Sequence, residues 1–331
     1  MKEIKIIKAN DISSILEKKE KEIMEIVANA YVEHKYGISS LPHSIFLRFP
    51  ENKRNRIIGL PAYLGGEYNV AGMKWISSFP ANTERNIERA SAVLLMNELD
   101  TGHVKAILES SIISAKRTAG SAAIAAKLLH SNKNEDTIGF VGCGRINEEM
   151  YRFMRVAFPA LNKIIIYDLS VERAKEFLEV VKLIGEIKTE IVNSVSEVLA
   201  AAQLTIFATT AGEPYVFDIA ECNEKSTILN ISLRDFDPEV VLKCDNVVDD
   251  LDHVCRENTS IHLTANKTGN IGFVRCGIAD VIKNKQPGRI GGKPVMFSPF
   301  GLGVLDLALG KYVLAKADRN GIGTVMENFL P

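Results

Sequence analysis

An aspartate just past a strand end, three cations set in apolar runs and a glycine pair behind a short strand are the residues of this chain with chemistry to offer. Leu229-Asn230-Ile231-Ser232-Leu233-Arg234-Asp235 carries Asp235 beyond an apolar strand, with Ser232 on the way. In an open parallel sheet, ligands lie outside the carboxyl ends of the strands, so a carboxylate there can act as general acid or base. A turn residue or helix cap is the plainer alternative. A second run, Ile206-Phe207-Ala208-Thr209-Thr210-Ala211-Gly212, ends on small and hydroxylated residues. Thr209 and Thr210 suit contact with a ribose or a nicotinamide, or they are an ordinary strand exit.

The cations precede these runs. Lys74 interrupts Ala71-Gly72-Met73-Lys74-Trp75-Ile76, and Arg48 interrupts Ile45-Phe46-Leu47-Arg48-Phe49. A lysine or arginine in a strand ordinarily faces solvent. Arg117 sits among small residues in Ser114-Ala115-Lys116-Arg117-Thr118-Ala119-Gly120, where a packed helix would leave a guanidinium costly without a partner. A bound anion would supply one, and the three together suggest a carboxylate-binding floor.

Between Thr137 and Asp168 the chain spells a nucleotide site. The apolar strand Ile138-Gly139-Phe140-Val141 runs into Gly142-Cys143-Gly144, a helical segment follows, and a second strand, Ile164-Ile165-Ile166-Tyr167, ends on Asp168. A glycine pair in this setting lets backbone approach a pyrophosphate at a helix N-terminus, and an acid ending the second strand can accept from an adenosine ribose. A 2′-phosphate beside Asp168 would be repelled, which favours NAD over NADP. The third fingerprint position, ordinarily Gly or Ala, is Asn147. Either the helix sits farther from its strand, or Asn147 makes a polar contact.

These residues need two kinds of scaffold. Residues 11–35 read as one amphipathic helix with Ile12, Leu16, Ile23, Ile26, Val27 and Ala30 on one side and the Lys/Glu run 17–22 solvated. Strands follow at 44–49, 56–60, 72–77 and 90–96. Asp100-Thr101-Gly102 turns into a hairpin strand at 104–108, and an Ala/Ser-rich helix covers 112–130. That block predicts an antiparallel α+β unit. From 137 on, strands at 137–142, 163–168, 189–192, 204–209, 227–232 and 246–249 alternate with helices such as 145–157 and 171–184, as in a parallel sheet. A late helix over 303–319, with Val304, Leu307, Ala308, Tyr312 and Ala315 on one side, is expected to return to the first block. The expected fold is α/β, a Rossmann-type doubly wound parallel sheet inserted in a discontinuous α+β domain. The boundaries fall at 1–115 and 303–331 for the outer domain and 116–302 for the nucleotide domain.

Composition fits this. The chain has 331 residues, 46% hydrophobic and 24% charged, with net charge −1, so no footprint for nucleic acid or an anionic membrane is evident. No apolar run reaches the roughly 18 residues that span a bilayer, and Met1-Lys2-Glu3-Ile4-Lys5 lacks a signal peptide's apolar core. Five cysteines without metal-type spacing and six scattered histidines predict reduced thiols and no metal site. The expectation is a cytoplasmic protein.

Gly72-Met73-Lys74, Asp100-Thr101-Gly102, Arg117-Thr118-Ala119, Gly142-Cys143-Gly144 and Asn230 through Asp235, closed by Ser298-Pro299-Phe300-Gly301 and Asp306-Leu307-Ala308, resemble the ornithine cyclodeaminase/mu-crystallin family in order and spacing. Two stretches, 56–67 and 74–91, are similar to the family's branch that forms 2,3-diaminopropionate for siderophores. Where ornithine cyclodeaminases usually carry Asn-x-x-x-Gly-Leu-Pro, this chain has Asn82-Thr83-Glu84-Arg85-Asn86-Ile87-Glu88, and the run around the acid is Leu233-Arg234-Asp235-Phe236-Asp237-Pro238.

The resemblance implies that Arg48, Lys74 and Arg117 hold an amino acid's α-carboxylate and that Asp235 is the general acid/base, with Lys74 also counted in the catalytic set. It places NAD on Gly142, Gly144, Arg145, Ile146 and Asp168, joined by Arg117, Thr118, Thr209, Thr210 and Ser232. Arg85 and Arg89 are candidates for the further carboxylates of a conjugate substrate. The implied reaction is NAD-dependent oxidation of a secondary amine at Cα–H, with imine hydrolysis, in a homodimer paired through the N-terminal domains. Ornithine cyclisation, alanine dehydrogenase or imine reductase chemistry, and a mu-crystallin-like nucleotide binder are the alternatives.

Overall fold

The computed structural model describes residues 3–85 and 87–330, so Asn86 of the Arg85–Ser91 stretch lies outside the described residues. In chain order, β1 (Ile4–Ile7) leads to α1 (Ala9–Ile15) and α2 (Glu20–Tyr36). Next come β2 (Ser39–Ser40), β3 (Ile45–Phe49), β4 (Asn52–Leu64), β5 (Val70–Ser78), β6 (Ala90–Asn97), β7 (Val104–Glu109) and α3 (Ser111–Leu129). An alternating run then passes through β8 (Thr137–Val141), α4 (Arg145–Ala157), β9 (Lys163–Tyr167), α5 (Val171–Ile184), β10 (Lys188–Ile191), α6 (Val195–Ala201) and β11 (Leu204–Phe207). It continues with β12 (Thr227–Asn230), α7 (Pro238–Leu242), β13 (Asp245–Val248), α8 (Leu251–Val254), α9 (Ser260–Thr268), β14 (Val274–Gly277), α10 (Ile278–Ile282) and β15 (Val295–Ser298). The chain closes with α11 (Gly303–Arg319) and β16 (Thr324–Met326). It divides into two compact units, Met1–Arg117 with Leu302–Pro331, and Thr118–Gly301.

The first unit is built on a sheet ordered β16-β1-β7-β6-β5-β4-β2, with β3 also paired to β4. Strands β3 to β7 pair antiparallel, as the hairpin signals require, but β1 joins β7 in parallel, so the sheet is mixed rather than antiparallel. Period-2 alternation gives it two different faces. Leu60, Lys74, Leu94 and Leu108 form one row across β4–β7, and all four are buried. The next row, Ile45, Gly59, Trp75 and Val93, faces the other way; its three side chains are 64%, 38% and 38% exposed. Gly59 leaves room for the indole of Trp75, which would lie 3.4 Å from a Cβ placed there.

Helix α11 packs against α2, β4, β5 and β6. Gly310 lets it settle onto Leu94, whose Cδ2 would be 2.3 Å from a Cβ at that position. Its first half is buried on every side, from Gly303 to Gly310, whereas Ala315 is exposed. The expected one-sided stripe therefore describes only part of this helix. The single helix expected over 11–35 is two helices, broken at Leu16–Lys19, where Lys18 takes φ 55 and carries the charged run through a turn.

The second unit holds an all-parallel sheet ordered β10-β9-β8-β11-β12-β15-β13-β14. The order steps outward from β8 through β9 and β10 on one side and through β11 and β12 on the other, which makes the sheet doubly wound, and β15 then inserts between β12 and β13. Its central strands are buried at nearly every position, as strands covered on both faces must be. Strands β14 and β15 lie among Gly- and Pro-rich sequence, and β1 and β16 are too short to register as periodic runs; all four escape a periodicity search. No helix among the described residues is long and apolar enough to cross a membrane.

Candidate functional site

Within the first unit, sequence places Lys74 on the buried face of β5, Arg117 on α3 and Asp306 in the buried first half of α11. Their side chains meet. Lys74 Nζ donates to Asp306 Oδ2 at 2.7 Å, and Arg117 Nε donates to Oδ1 at 3.2 Å. Ser114 Oγ accepts from both cations, at 3.1 Å from Lys74 Nζ and 3.3 Å from Arg117 Nη2. Lys74 is 2% exposed, Arg117 8% and Asp306 0%. Lys74 therefore does not take the solvent-facing orientation usual for a strand lysine.

Two cations against one carboxylate leave a surplus of one positive charge in a buried setting. One ammonium N–H of Lys74 and the Nη1 group of Arg117 have no hydrogen-bond partner among the described residues. Fixed donors around a net positive charge are what a carboxylate requires. Burial, reinforced by Arg117, lowers the Lys74 pKa to about 8 although Asp306 opposes the shift. Burial alone would raise the Asp306 carboxyl, but Arg117 and Lys74 beside it outweigh that and hold it below the ordinary carboxylate range.

The other candidates of this unit stand on β3 and in the segment that leads into β6. Arg48 is exposed on β3, with its guanidinium 5.4 Å from the ring centroid of Phe46, and it stands directly opposite Arg56. Arg85 is exposed, whereas Arg89 is half-buried and donates to Ser78 Oγ at 2.8 Å. Sequence reasoning assigned no role to Asp306, Ser114 or Arg56. For Asp306 a signal existed: an acid inside Val304-Leu305-Asp306-Leu307-Ala308 cannot be buried without a cation.

In the second unit, the loop after β12 is held in a strained shape. Leu233 adopts φ 74, uncommon for a bulky residue, and its N–H donates to Asn230 Oδ1 at 3.1 Å. The loop delivers Asp235, 0% exposed, onto two hydroxyls. Thr209 Oγ1 donates to Oδ1 at 2.5 Å, and Ser232 Oγ donates to Oδ2. The Tyr215 phenol is hydrogen-bonded to the same carboxylate, and burial together with that charge pushes its pKa up. Sequence reasoning gives Tyr215 no role. Nearby strand ends are tied as well: Asn230 Nδ2 donates to Ser298 Oγ, and Asp249 accepts from the N–H groups of Phe300 and Gly301.

The glycine turn follows β8. Gly142 has φ +88, and a Cβ there would stand 2.6 Å from the Ala208 carbonyl oxygen. Gly144 caps α4 with no side-chain bond to the first turn, and nothing lies within 4 Å of where its Cβ would be. A helix N-terminus opening at a glycine with space beside it fits a pyrophosphate. Asp168 is half-buried and braces the turn, with Oδ2 accepting from Cys143 N–H at 2.7 Å and Oδ1 from Ser170 N–H at 2.9 Å. Each oxygen retains a lone pair for a ribose hydroxyl. Asn147 is fully buried and makes a polar contact, donating to the carbonyls of Val141, at 3.1 Å, and Gly142. Thr210 is exposed and Thr118 half-buried on α3.

Known proteins with this architecture share its full length. The chain is 29% identical over 315 residues to N-((2S)-2-amino-2-carboxyethyl)-L-glutamate dehydrogenase of Staphylococcus aureus, covering 92% of each chain. It is 27% identical over 317 residues to an alanine dehydrogenase of Archaeoglobus fulgidus, covering 93% of this chain and 94% of that one. A solved Delta(1)-pyrroline-2-carboxylate reductase from Thermococcus litoralis, in complex with NADH and L-proline, superposes with a TM-score of 0.89 at 26% identity, covering 97% and 99% of the two chains. The model of the ornithine cyclodeaminase/mu-crystallin family matches residues 5–321, so a single match takes in the cluster on Asp306, the glycine turn and the loop of Asp235. With the mixed sheet, the doubly wound parallel sheet and that match in agreement, the chain belongs to the ornithine cyclodeaminase/mu-crystallin family.

Proposed function

We propose that this chain oxidises N-(2-amino-2-carboxyethyl)-L-glutamate at the Cα–H of its secondary amine and releases L-2,3-diaminopropionate and 2-oxoglutarate. At the coarser level it is an NAD-dependent oxidoreductase that acts on the CH–NH bond of amino-acid substrates. The observation that carries the finer reading is the match to the Staphylococcus aureus dehydrogenase over 92% of both chains.

Lys74 and Arg117, anchored on Asp306, bind the carboxylate at the reacting carbon and fix its orientation, which is a positioning effect. Arg48 is assigned to the same carboxylate, and Arg89 to the substrate's remaining carboxylates. NAD⁺, when bound, supplies the hydride acceptor. Gly142, Gly144, Arg145 and Ile146 hold its pyrophosphate and Asp168 its ribose; Thr118, Thr209, Thr210, Ser232 and Arg117 complete its contacts. Removal of hydride from Cα leaves a C=N bond. Asp235, held in place by the Thr209 and Ser232 hydroxyls, takes a proton from the water that adds to this carbon. It returns that proton to the nitrogen as the C–N bond breaks and takes up the proton of the new hydroxyl, so the amine leaves as diaminopropionate and the carbon becomes the ketone of 2-oxoglutarate. In this reading residues 1–115 and 303–331 bind substrate, and 116–302 bind NAD. The exposed apolar row of Ile45, Trp75 and Val93 is the surface through which two copies pair.

Purified protein with NAD⁺ and the conjugate should form NADH together with equal amounts of 2-oxoglutarate and diaminopropionate. Ammonia and proline from L-ornithine, or pyruvate from L-alanine, without NADH from the conjugate would overturn the reading. Cofactor binding with no turnover of any of the three would make the chain a binder.

A further inference from the structure

Three hydroxyls surround the buried carboxylate of Asp235, and one of them has a second place to go. Thr209 Oγ1, which donates to Oδ1, also accepts from the Ala211 N–H at 3.2 Å. The Tyr215 phenol is hydrogen-bonded to Thr209 as well as to the carboxylate. Ser232 Oγ stands between two acceptors, Asp235 Oδ2 and, at 3.1 Å, the carbonyl oxygen of Phe207. A hydroxyl has one hydrogen and two lone pairs, so it serves one acceptor at a time and can itself accept.

The two acceptors are unequal. The Phe207 carbonyl already accepts the N–H groups of Ile231, at 2.9 Å, and of Ser232 itself, at 3.1 Å. A carboxylate forms the stronger hydrogen bond, so the serine hydrogen lies on Asp235 while that group is charged. Once Asp235 takes up a proton the preference reverses. A buried carboxyl O–H without an acceptor is costly, and Ser232 Oγ becomes that acceptor when its own hydrogen turns to the Phe207 carbonyl. Only hydrogens have to move. The Leu233 N–H is held by Asn230 Oδ1, the Leu233 carbonyl accepts from the Ser260 N–H at 2.7 Å, and the Phe236 N–H donates to Ser260 Oγ at 3.2 Å. The Asp235 carbonyl is fixed in turn by the N–H groups of Tyr215, at 3.0 Å, and Val216, at 2.9 Å.

We propose that Ser232 is a positioning residue that acts through Asp235: its hydroxyl donates to the carboxylate and accepts from the carboxylic acid, so the base is held in both of its protonation states. This rests on the reading that Asp235 moves protons during imine hydrolysis. In that reading Asp235 takes a proton from water and keeps it until the C–N bond breaks. Hydride transfer leaves the charge of Asp235 unchanged, so the second position of the serine hydrogen serves the hydrolytic half of the reaction alone. Ser232 is thereby more than a contact of the cofactor.

Single-turnover mixing of the NAD⁺-saturated protein with the conjugate separates the two halves, with NADH read by absorbance and 2-oxoglutarate by chemical quench. Ser232→Ala should form NADH at a rate close to the parent's and release 2-oxoglutarate about tenfold or more slowly, the scale of one buried hydrogen bond left unmade. Ser232→Thr, which keeps the hydroxyl, should restore release. Saturating NAD⁺ keeps a changed cofactor affinity out of the comparison. Slowing of both halves alike, or of neither, overturns the proposal. Infrared difference spectra of the NADH complex on acidification test the same hydroxyl without turnover. The C=O stretch of the protonated Asp235 carboxyl, assigned by its loss in Asp235→Asn, should move to higher frequency in Ser232→Ala and stay near the parent's in Ser232→Thr. If the conjugate is not oxidised but the band moves, the reaction assigned above falls and the role of Ser232 stands. A band unmoved in Ser232→Ala overturns that role whether or not the conjugate is oxidised.

Discussion

Each unit buries one carboxylate of chemical interest, and the two are held by opposite means. Asp306 is neutralised by charge, with Lys74 at 2.7 Å and Arg117 at 3.2 Å, and its partners come from positions 232 and 189 residues away. Asp235 is held by hydroxyls, Ser232 three residues before it and Thr209 twenty-six before it. An ion-paired carboxylate locks its partners in place and has little left to give a substrate. A carboxylate fixed by neutral donors keeps its orientation with no cation bound to it. The first arrangement suits an anchor and the second a base, and each can be broken separately.

The largest effect should follow removal of the base. Asp235→Asn is expected to lower kcat by about 10²–10⁴-fold, the usual contribution of a general acid–base group. Its thermal melt, followed by circular dichroism, should stay close to that of the parent. Loss of fold instead of turnover would erase the distinction between the two carboxylates. Next, Asp306→Asn leaves two buried cations facing each other, and breaking a buried ion pair costs about 3–5 kcal/mol. Urea unfolding should therefore show a marked fall in midpoint, which Asp235→Asn would not produce.

The smallest and most graded effect is in pH. Lys74 loses its proton near pH 8 in the folded chain against an ordinary 10.5, so its hold on a carboxylate weakens as pH rises above about 8. The profile of kcat/KM should fall by up to tenfold per pH unit beyond that point, and Lys74→Arg should flatten this limb. For stability the sign is opposite. Between pH 8 and 10.5 the unfolded chain binds more protons at Lys74 than the folded chain, so the contribution of this residue to stability rises through that window.

What sequence conveyed and what it withheld follow from distance along the chain. The glycine turn and Asp168 are local features, readable because strand, turn and helix are contiguous. Helices α4, α5 and α11 span the residues over which the sequence pattern places them. Lys74 was suspicious only as a charge among apolar neighbours; its partner lies on a helix 232 residues later, and no short-range pattern links the two. Asn147 could be seen to depart from the fingerprint, but its bonds to the carbonyls of Val141 and Gly142 depend on how helix and strand are packed. The break at Lys18 was hidden because the apolar spacing continues in phase on both sides of it.

The row of Ile45, Gly59, Trp75 and Val93 also has a spectroscopic consequence. Trp75 is the only tryptophan in the chain, it is 38% exposed, and its strand neighbour Lys74 points through the opposite face of the sheet into the cluster on Asp306. Indole emission from this protein therefore has a single origin. Its wavelength reads the wetting of that apolar row, so under the proposed pairing a red shift on dilution would record the separation of two copies at the concentration where it occurs.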